Sequence, residues 1–307
     1  MNSRKTLSLG LLMGGLIATS APTAAASTWF QIHRADQDNT FHNVTYIDSD
    51  AANNNPRAVL IVTPHFNPPF STGIRADNPV GVYYDEGIKR WGIYDETMAS
   101  IPEGSAYVVR VRSEPGNAAQ GKRHVATAAN TVGNFTDIND SATNNRPNAV
   151  VLVTHDYGTL QDGIHHPEAL GVWYNTGTRK WSIFNQSGAS MPIGIKFHYM
   201  IGNEQASDEA FRRTAIVHRA TAANITGSET RIDNPNTNGR PTGMLLATHN
   251  WNPGGVGGTY NRAHIGVFYD SMRRQWGVFN ETGLAIMPGN AFNVVSLFDP
   301  LVDPPRR

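Results

Sequence analysis

The sequence predicts an all-β protein made of three tandem, small β-sandwich-like repeats of about 90 residues each. Three observations predict it. An ordered set of landmarks recurs three times. Each copy holds short, β-branched apolar runs bounded by turn residues. No copy shows a convincing apolar stripe at helical spacing. The landmarks open with His33-Arg34-Ala35, His124-Val125-Ala126 and His218-Arg219-Ala220. An Asn/Pro turn follows, ending at Pro56, Pro147 and Pro241. Then come a Gly-Val-aromatic-Tyr phrase (81–84, 171–174, 266–269), a Trp (Trp91, Trp181, Trp276) and a closing Pro (Pro102, Pro192, Pro288).

Taken in order, residues 1–26 read as an export signal. Arg4 and Lys5 precede the apolar stretch 7–17, and Ala24-Ala25-Ala26 fits a small-residue cleavage rule. The repeats fall at 27–113, 121–203 and 214–298, followed by an extended, proline-bearing tail at 299–307. The joins are polar and turn-rich, and 209–213 has the composition of one helical turn. Within repeats, Ala58 to Thr63, Ala149 to Thr154 and Gly243 to Thr248 are apolar runs suited to a strand buried on both faces. Gly171 to Asn175 and Lys180 to Phe184 flank a tight turn in which Gly177 is expected to supply a positive φ. Ala106 to Val111 and Ala291 to Leu297 read as closing strands. About six strands per repeat suit a two-sheet sandwich. The alternative is one closed pseudo-threefold β assembly. Separate modules are the preferred reading, because each repeat is long enough for its own core.

Composition narrows the function. There is no cysteine, which excludes disulfides, thiolate metal sites and cysteine nucleophiles. Basic and acidic residues balance at 25 each, and no Lys/Arg cluster appears. That argues against nucleic acid and anionic lipid as partners. No segment beyond the signal is long and apolar enough to insert in a membrane.

The loop after the doubly buried strand is the best site candidate. It carries His65, Phe66 and Asn67 in the first copy, His155, Asp156 and Tyr157 in the second, and His249, Asn250, Trp251 and Asn252 in the third. Imidazole, amide and ring at a strand end suit a sugar, whose hydroxyls need polar partners and whose C–H faces stack on rings. The alternative is that His and Asn cap their own turns. Pro64 takes the His slot in the first copy, so that loop should be weaker or altered. Trp173 joins the set, because its position in the hairpin is aromatic in every copy (Tyr83, Phe268). Trp91, Trp181 and Trp276 read as core.

His33, His124 and His218, one per repeat, are poor metal-ligand arithmetic and read as half-buried residues bonding neighbouring backbone. Asp85, Asn175 and Asp270, with Asp95, Asn185 and Asn280, could hold calcium, but lack close ligand spacing and are simpler as turn formers. No cofactor, resident metal or catalytic residue is assigned. The phrases His-x-Ala-Thr-Ala-Ala-Asn at 124–130 and 218–224, Asn-Trp-Asn-Pro-Gly-Gly at 250–255 and Gly-Val-aromatic-Tyr…Trp…Met-Pro resemble a tandem-repeat domain of unknown function found in secreted bacterial proteins. The resemblance spans nearly the whole mature chain. It implies an extracytoplasmic location and modular use, and brings no activity or site residue. The leading expectation is a secreted, non-enzymatic repeat protein that binds a polysaccharide or cell-surface glycan multivalently. The alternatives are a structural or adhesive matrix protein, and a polysaccharide hydrolase or lyase with its site between repeats.

Overall fold

The computed structural model describes residues 28–69, 71, 73–113, 122–158, 162–202 and 212–298. The signal segment, the tail and most of both joins lie outside the described residues. So do residues 209–211 of the proposed helical turn, while Arg212 and Arg213 open a strand instead.

Among the described residues there is no α-helix, and each repeat is a set of seven strands in one order. The first repeat has β1 (Thr28–Arg34), β2 (Thr40–Phe41), β3 (Val44–Tyr46), β4 (Val59–Pro64), β5 (Val80–Asp85), β6 (Arg90–Asp95) and β7 (Ala106–Arg112). The second has β8 (Lys122–Val125), β9 (Thr131–Val132), β10 (Phe135–Ile138), β11 (Val151–Asp156), β12 (Leu170–Asn175), β13 (Lys180–Asn185) and β14 (Lys196–Ile201). The third has β15 (Arg212–Arg219), β16 (Ile225–Thr226), β17 (Glu229–Ile232), β18 (Met244–Asn250), β19 (Ile265–Asp270), β20 (Gln275–Asn280) and β21 (Ala291–Phe298). One 3-10 turn is found among the described residues, Pro253–Gly255, following β18.

Two sheets face each other in every repeat. One holds the first, seventh and fourth strands, as in β1-β7-β4; the other runs through the second, third, sixth and fifth, β2-β3-β6-β5. Between them lies a private core, in the first repeat Leu60, Val62, Val82, Trp91, Ile93 and Val109. The other repeats repeat it around Trp181 and Trp276. All three indoles are buried, as the sequence suggested. Each Nε1–H donates to the carbonyl of the residue before the Asn/Pro-turn proline: Asn55 (2.9 Å), Arg146 (2.9 Å) and Arg240 (2.8 Å). Two sequence landmarks are therefore one contact, and a buried N–H is satisfied.

The sheets do not stop at the repeat boundary. β5 pairs in parallel with β11, and β12 with β18. The ring closes where His65 bridges Val267 of β19. The sandwich reading and the closed pseudo-threefold reading thus describe one object. Each repeat keeps its own core, and each four-stranded sheet continues edge to edge into the next repeat. The fourth strands face a second, shared core of Ile61, Val108, Val150, Leu152, Met200, Leu246 and Val295. A strand with one face on its own core and the other on the axis must be apolar on both faces, which is what the runs show. Three threonines complete the axis in a cycle. The Oγ1 of Thr154 accepts from the Val62 N–H (2.9 Å), that of Thr248 from Val153 (3.1 Å) and that of Thr63 from Ala247 (3.0 Å).

Two details depart from expectation. The left-handed residue of the tight turn is not Gly177 but the following basic residue, Arg179 (φ 57°), with Lys89 (φ 57°) and Arg274 (φ 58°) in the other copies. The turn is organised by the side chains of Asp85, Asn175 and Asp270, whose Oδ1 atoms accept from the N–H groups two and three residues further on. Those oxygens are spent on backbone, an Asx arrangement. The recurrent histidines bond a threonine rather than neighbouring backbone. His33, His124 and His218 Nε2 lie 2.7, 2.7 and 2.8 Å from Thr45, Thr136 and Thr230 Oγ1. Each hydroxyl in turn donates to Asn39, Asn130 or Asn224 Oδ1. The hydroxyl proton is committed to Asn, so Nε2 carries a proton and donates, and burial favours the neutral ring.

Two outcomes follow. Burial lowers His33, His124 and His218 from 6.5 to about 4. The unfolded chain takes up these protons near pH 6.5 and the folded chain only near 4, so stability is lost as pH falls through that window. Each ring subtracts on the order of 1 kcal/mol per pH unit, measurable as a falling denaturation midpoint; a flat profile contradicts it. Replacing Thr154 by Val strands the Val62 N–H on the axis and costs about 1–3 kcal/mol in urea denaturation.

Candidate aromatic clefts between repeats

The site is built where one repeat meets the next. Just beyond each fourth strand stands an aromatic residue whose N–H extends the pairing into the neighbour. Phe66 donates to the Val267 carbonyl, Tyr157 to Val82 and Trp251 to Val172, each at 2.9 Å. The long loop then folds back onto the ring. A Cβ on Gly73, Gly163 or Gly258 would lie 2.5, 2.0 or 2.1 Å from the Phe66, Tyr157 or Trp251 ring. Only glycine allows that approach, so one side of each ring is sealed by its own loop and the rest turns toward the preceding repeat's hairpin.

Two junctions leave an open cleft there. The first, about 180 Å³, is lined by Asn43, Val44, Tyr83, Tyr94, Met98, Tyr157 and His165. The second, about 160 Å³, is lined by Asn134, Phe135, Trp173, Phe184, Trp251 and Tyr260. The rings meet edge to face: Tyr94 and Tyr157 at 5.6 Å and 74°, Trp173 and Trp251 at 6.1 Å and 88°. Burial raises the Tyr83 and Tyr94 phenols, which stay protonated. At the closing junction Phe66, Phe268 and Phe279 repeat the pattern, and the Arg75 guanidinium lies over Phe66 and Phe279.

The polar candidates serve the junctions instead. His155 is buried, and its Nδ1 pairs with Glu96 Oε1 of the preceding repeat and with the Tyr94 hydroxyl (3.0 Å). His249 Nδ1 pairs with Gln186, whose Oε1 accepts from the Asn261 N–H (3.2 Å). Gln186 therefore donates its amide proton, and the His249 ring proton sits on Nε2. These Glu and Gln ends explain the glycine of the Gly-Val-aromatic-Tyr phrase. A Cβ on Gly171 would lie 2.7 Å from Gln186 Nε2, and one on Gly266 would lie 2.3 Å from Glu281 Oε1. Asp156 Oδ2 lies 3.2 Å from His198 Nε2. Burial opposes its charge, yet His198 and the nearby Arg123 hold it down to about 2. Asn250 Nδ2 donates to Asn293 (2.8 Å). Asn252 clamps the Tyr174 backbone, accepting its N–H (2.7 Å) and donating to its carbonyl (2.9 Å). Asn67 does the same to Tyr269 at 2.9 Å in both directions. His65 packs on Trp276 at 5.2 Å, and burial lowers it to about 3.

Of the sequence candidates, the structure brings Tyr157, Trp173 and Trp251 into open clefts and Phe66 into the corresponding ring cluster of the closing junction. His65, Asn67, His155, Asp156, His249, Asn250 and Asn252 are corrected to junction residues. Alternation is the reason: successive strand residues point to opposite sides, and the His and Asp positions still belong to the strand. Sequence reasoning missed Tyr94, His165, Phe184 and Tyr260 as cleft residues, while Tyr83 shares the aromatic hairpin position of Trp173. The signal was the second apolar face of the hairpin, but which neighbour it meets is a property of the ring. Among the described residues no three His, Asp or Glu side chains stand together as a metal site.

The closing junction differs in its chemistry. Pro64 replaces the histidine, so Glu281 Oε1 has no hydrogen-bond partner among the described residues, while Oε2 accepts from the Ala76 N–H (3.1 Å). Burial pushes the Glu281 carboxyl up to about 8 despite that bond and Arg75. The unfolded chain gives up this proton near 4.5 and the folded chain only near 8, so stability falls as pH rises through that interval. Glu281→Gln removes this contribution, so the variant's stability relative to wild type rises between pH 5 and pH 8 by on the order of 3 kcal/mol, as thermal denaturation of both proteins at the two pH values will show.

Among curated proteins, none matches the sequence significantly. A profile for a domain of unknown function, DUF7452, matches it three times, at residues 20–111, 81–201 and 171–296. The second and third matches begin at Gly81 and Gly171, so each takes in the hairpin that pairs with the following repeat. The chain belongs to the DUF7452 family and carries three copies of its domain in tandem.

Proposed function

We propose that this is an exported, non-enzymatic protein that binds a polysaccharide or cell-surface glycan through the aromatic clefts between its repeats. One observation carries the reading: the same half-buried ring cluster recurs, open to solvent, at two corresponding junctions. Aromatic faces beside an amide, Asn43 or Asn134, and a ring nitrogen or phenol, His165 or Tyr260, suit a sugar's C–H faces and hydroxyls. Neither cleft has Asp or Glu among its described lining residues, which favours binding over hydrolysis. The N-terminal signal pattern supports a place outside the cytoplasm. Two sites held at a fixed separation on one rigid ring gain avidity on a repeating polymer.

A glycan array tests this. Wild-type protein should be retained on one glycan class, Tyr157→Ala or Trp251→Ala should each weaken retention at least about tenfold through lost bivalency, and the double variant should abolish it. Retention unchanged in a double variant that folds normally by circular dichroism would reject the clefts as the site.

A further inference from the structure

The ring is closed by an interface that the chain has already made twice. Phe66 donates to the Val267 carbonyl as Tyr157 does to Val82 and Trp251 to Val172, each at 2.9 Å. Asn67 clamps the Tyr269 backbone as Asn252 clamps that of Tyr174. Across the axis, the Ala247 N–H donates to Thr63 (3.0 Å) as Val62 and Val153 donate to Thr154 and Thr248. The first two junctions join repeats that are consecutive in the chain. The closing one joins repeats 1 and 3, which no peptide join connects directly. Its two sides recognise each other by these contacts alone.

It is also the most loosely paired. β5 with β11 and β12 with β18 each share two residue pairs, whereas the closing junction has the single bridge His65–Val267. The cause lies in the sequence. Pro64 stands where His155 and His249 make the first of those pairs, and proline has no N–H to give to a ladder.

Two properties of this interface select a partner. It is heterologous: the end of β4 with its loop meets the hairpin of β19 and β20, two different patches. Repeat 1 of one copy is therefore complementary to repeat 3 of any other copy. The junction also turns each repeat by about a third of a circle, since three junctions close the ring. An assembly that keeps this geometry returns on itself after three repeats and cannot grow into a filament. The smallest intermolecular form that keeps every contact is two rings, each holding two repeats of one chain and an end repeat of the other.

We infer that the closing surfaces accept a second copy of this chain, two copies exchanging an end repeat to form a dimer of two complete rings. Exchange creates no new interface and loses none. Closure within one chain acts at an effective concentration in the millimolar range. A dilute chain is thus a monomer, and exchange competes as protein concentration approaches that range. Each ring keeps its two open clefts, so the dimer carries four. That consequence rests on the reading of the clefts as binding sites; the exchange does not.

The absence of cysteine gives a direct readout. His65→Cys with Val267→Cys places one thiol on each side of the closing bridge. Full-length wild type and this variant are refolded from urea under reducing conditions at about 1 μM and at about 1 mM, bracketing closure within one chain. The variant is then oxidised, and both are followed by light scattering and non-reducing electrophoresis. The dilute samples should be monomers with the disulfide inside one chain. The concentrated samples should contain a species of twice the mass that survives dilution and returns to monomer only after renewed unfolding. In the variant, that species should run as two chains joined covalently. If the cysteine pair does not oxidise, the wild-type mass and its persistence on dilution decide. Monomer alone at both concentrations, a dimer whose disulfides stay within single chains, or growth into filaments overturns the inference. Glycan retention is read separately, so loss of the glycan reading leaves the exchange standing, and the reverse.

Discussion

Each repeat contains a strand with nowhere to hide its outer edge. β4, β11 and β18 are paired on one side by β7, β14 and β21. On the other side their N–H and C=O groups would face an apolar axis. Unpaired buried backbone is costly, so every such edge borrows partners from a neighbouring repeat. The fifth strand of the preceding hairpin takes the end of the edge, and a threonine hydroxyl takes an N–H further in. The chain satisfies all three edges by closing on itself. The shared axial core, the clefts and the differences between junctions follow from that closure.

Closure also explains why the junctions diverge while the cores do not. A core position must keep its volume and polarity, and Trp91, Trp181 and Trp276 are the same residue in the same place. A junction needs only some complementary pair. Glu96 with His155, Gln186 with His249, and Glu281 facing Pro64 are three different solutions at one site. At the next position Asp156 with His198 and Asn250 with Asn293 are pairs within one repeat, and His198 and Asn293 go on to bond the backbone of the preceding repeat at Leu60 and Val151. The third junction is the most loosely paired along its backbone. It has a single bridge where the others have paired strands, an orphan carboxyl oxygen, and a histidine with neither nitrogen bonded among the described residues. It also joins the ends of the repeat array, where no short linker helps hold the partners together.

The fold was largely legible because its signals are local. The β-branched runs and the Asp- or Asn-headed turns of the hairpins depend on neighbours a few residues away, and the recurring Trp is legible from its repetition. His33, His124 and His218 were legible as structural, but their threonine partners were not, since a bond across twelve residues leaves no spacing rule to read. The site was half legible. Tyr157, Trp251 and Trp173 stood out as aromatic positions, and Pro64 marked the first loop as the odd one. His155 and Asp156 misled because a residue type suited to a ligand is equally suited to a buried junction, and strand alternation at a loop boundary decides between them. Tyr83, Tyr94 and Phe184 belong to a different repeat from the loops they meet, and nothing within a single repeat points across that gap.

Amide hydrogen exchange tests the closed ring most directly. The N–H groups of Phe66, Tyr157 and Trp251 are the ones that cross from repeat to repeat. In a ring that opens only by cooperative unfolding, their protection should equal that of core amides such as Trp91, Trp181 and Trp276. Exchange of all three junction amides orders of magnitude faster than those core amides would mean three independent sandwiches on a string, and would contradict the account.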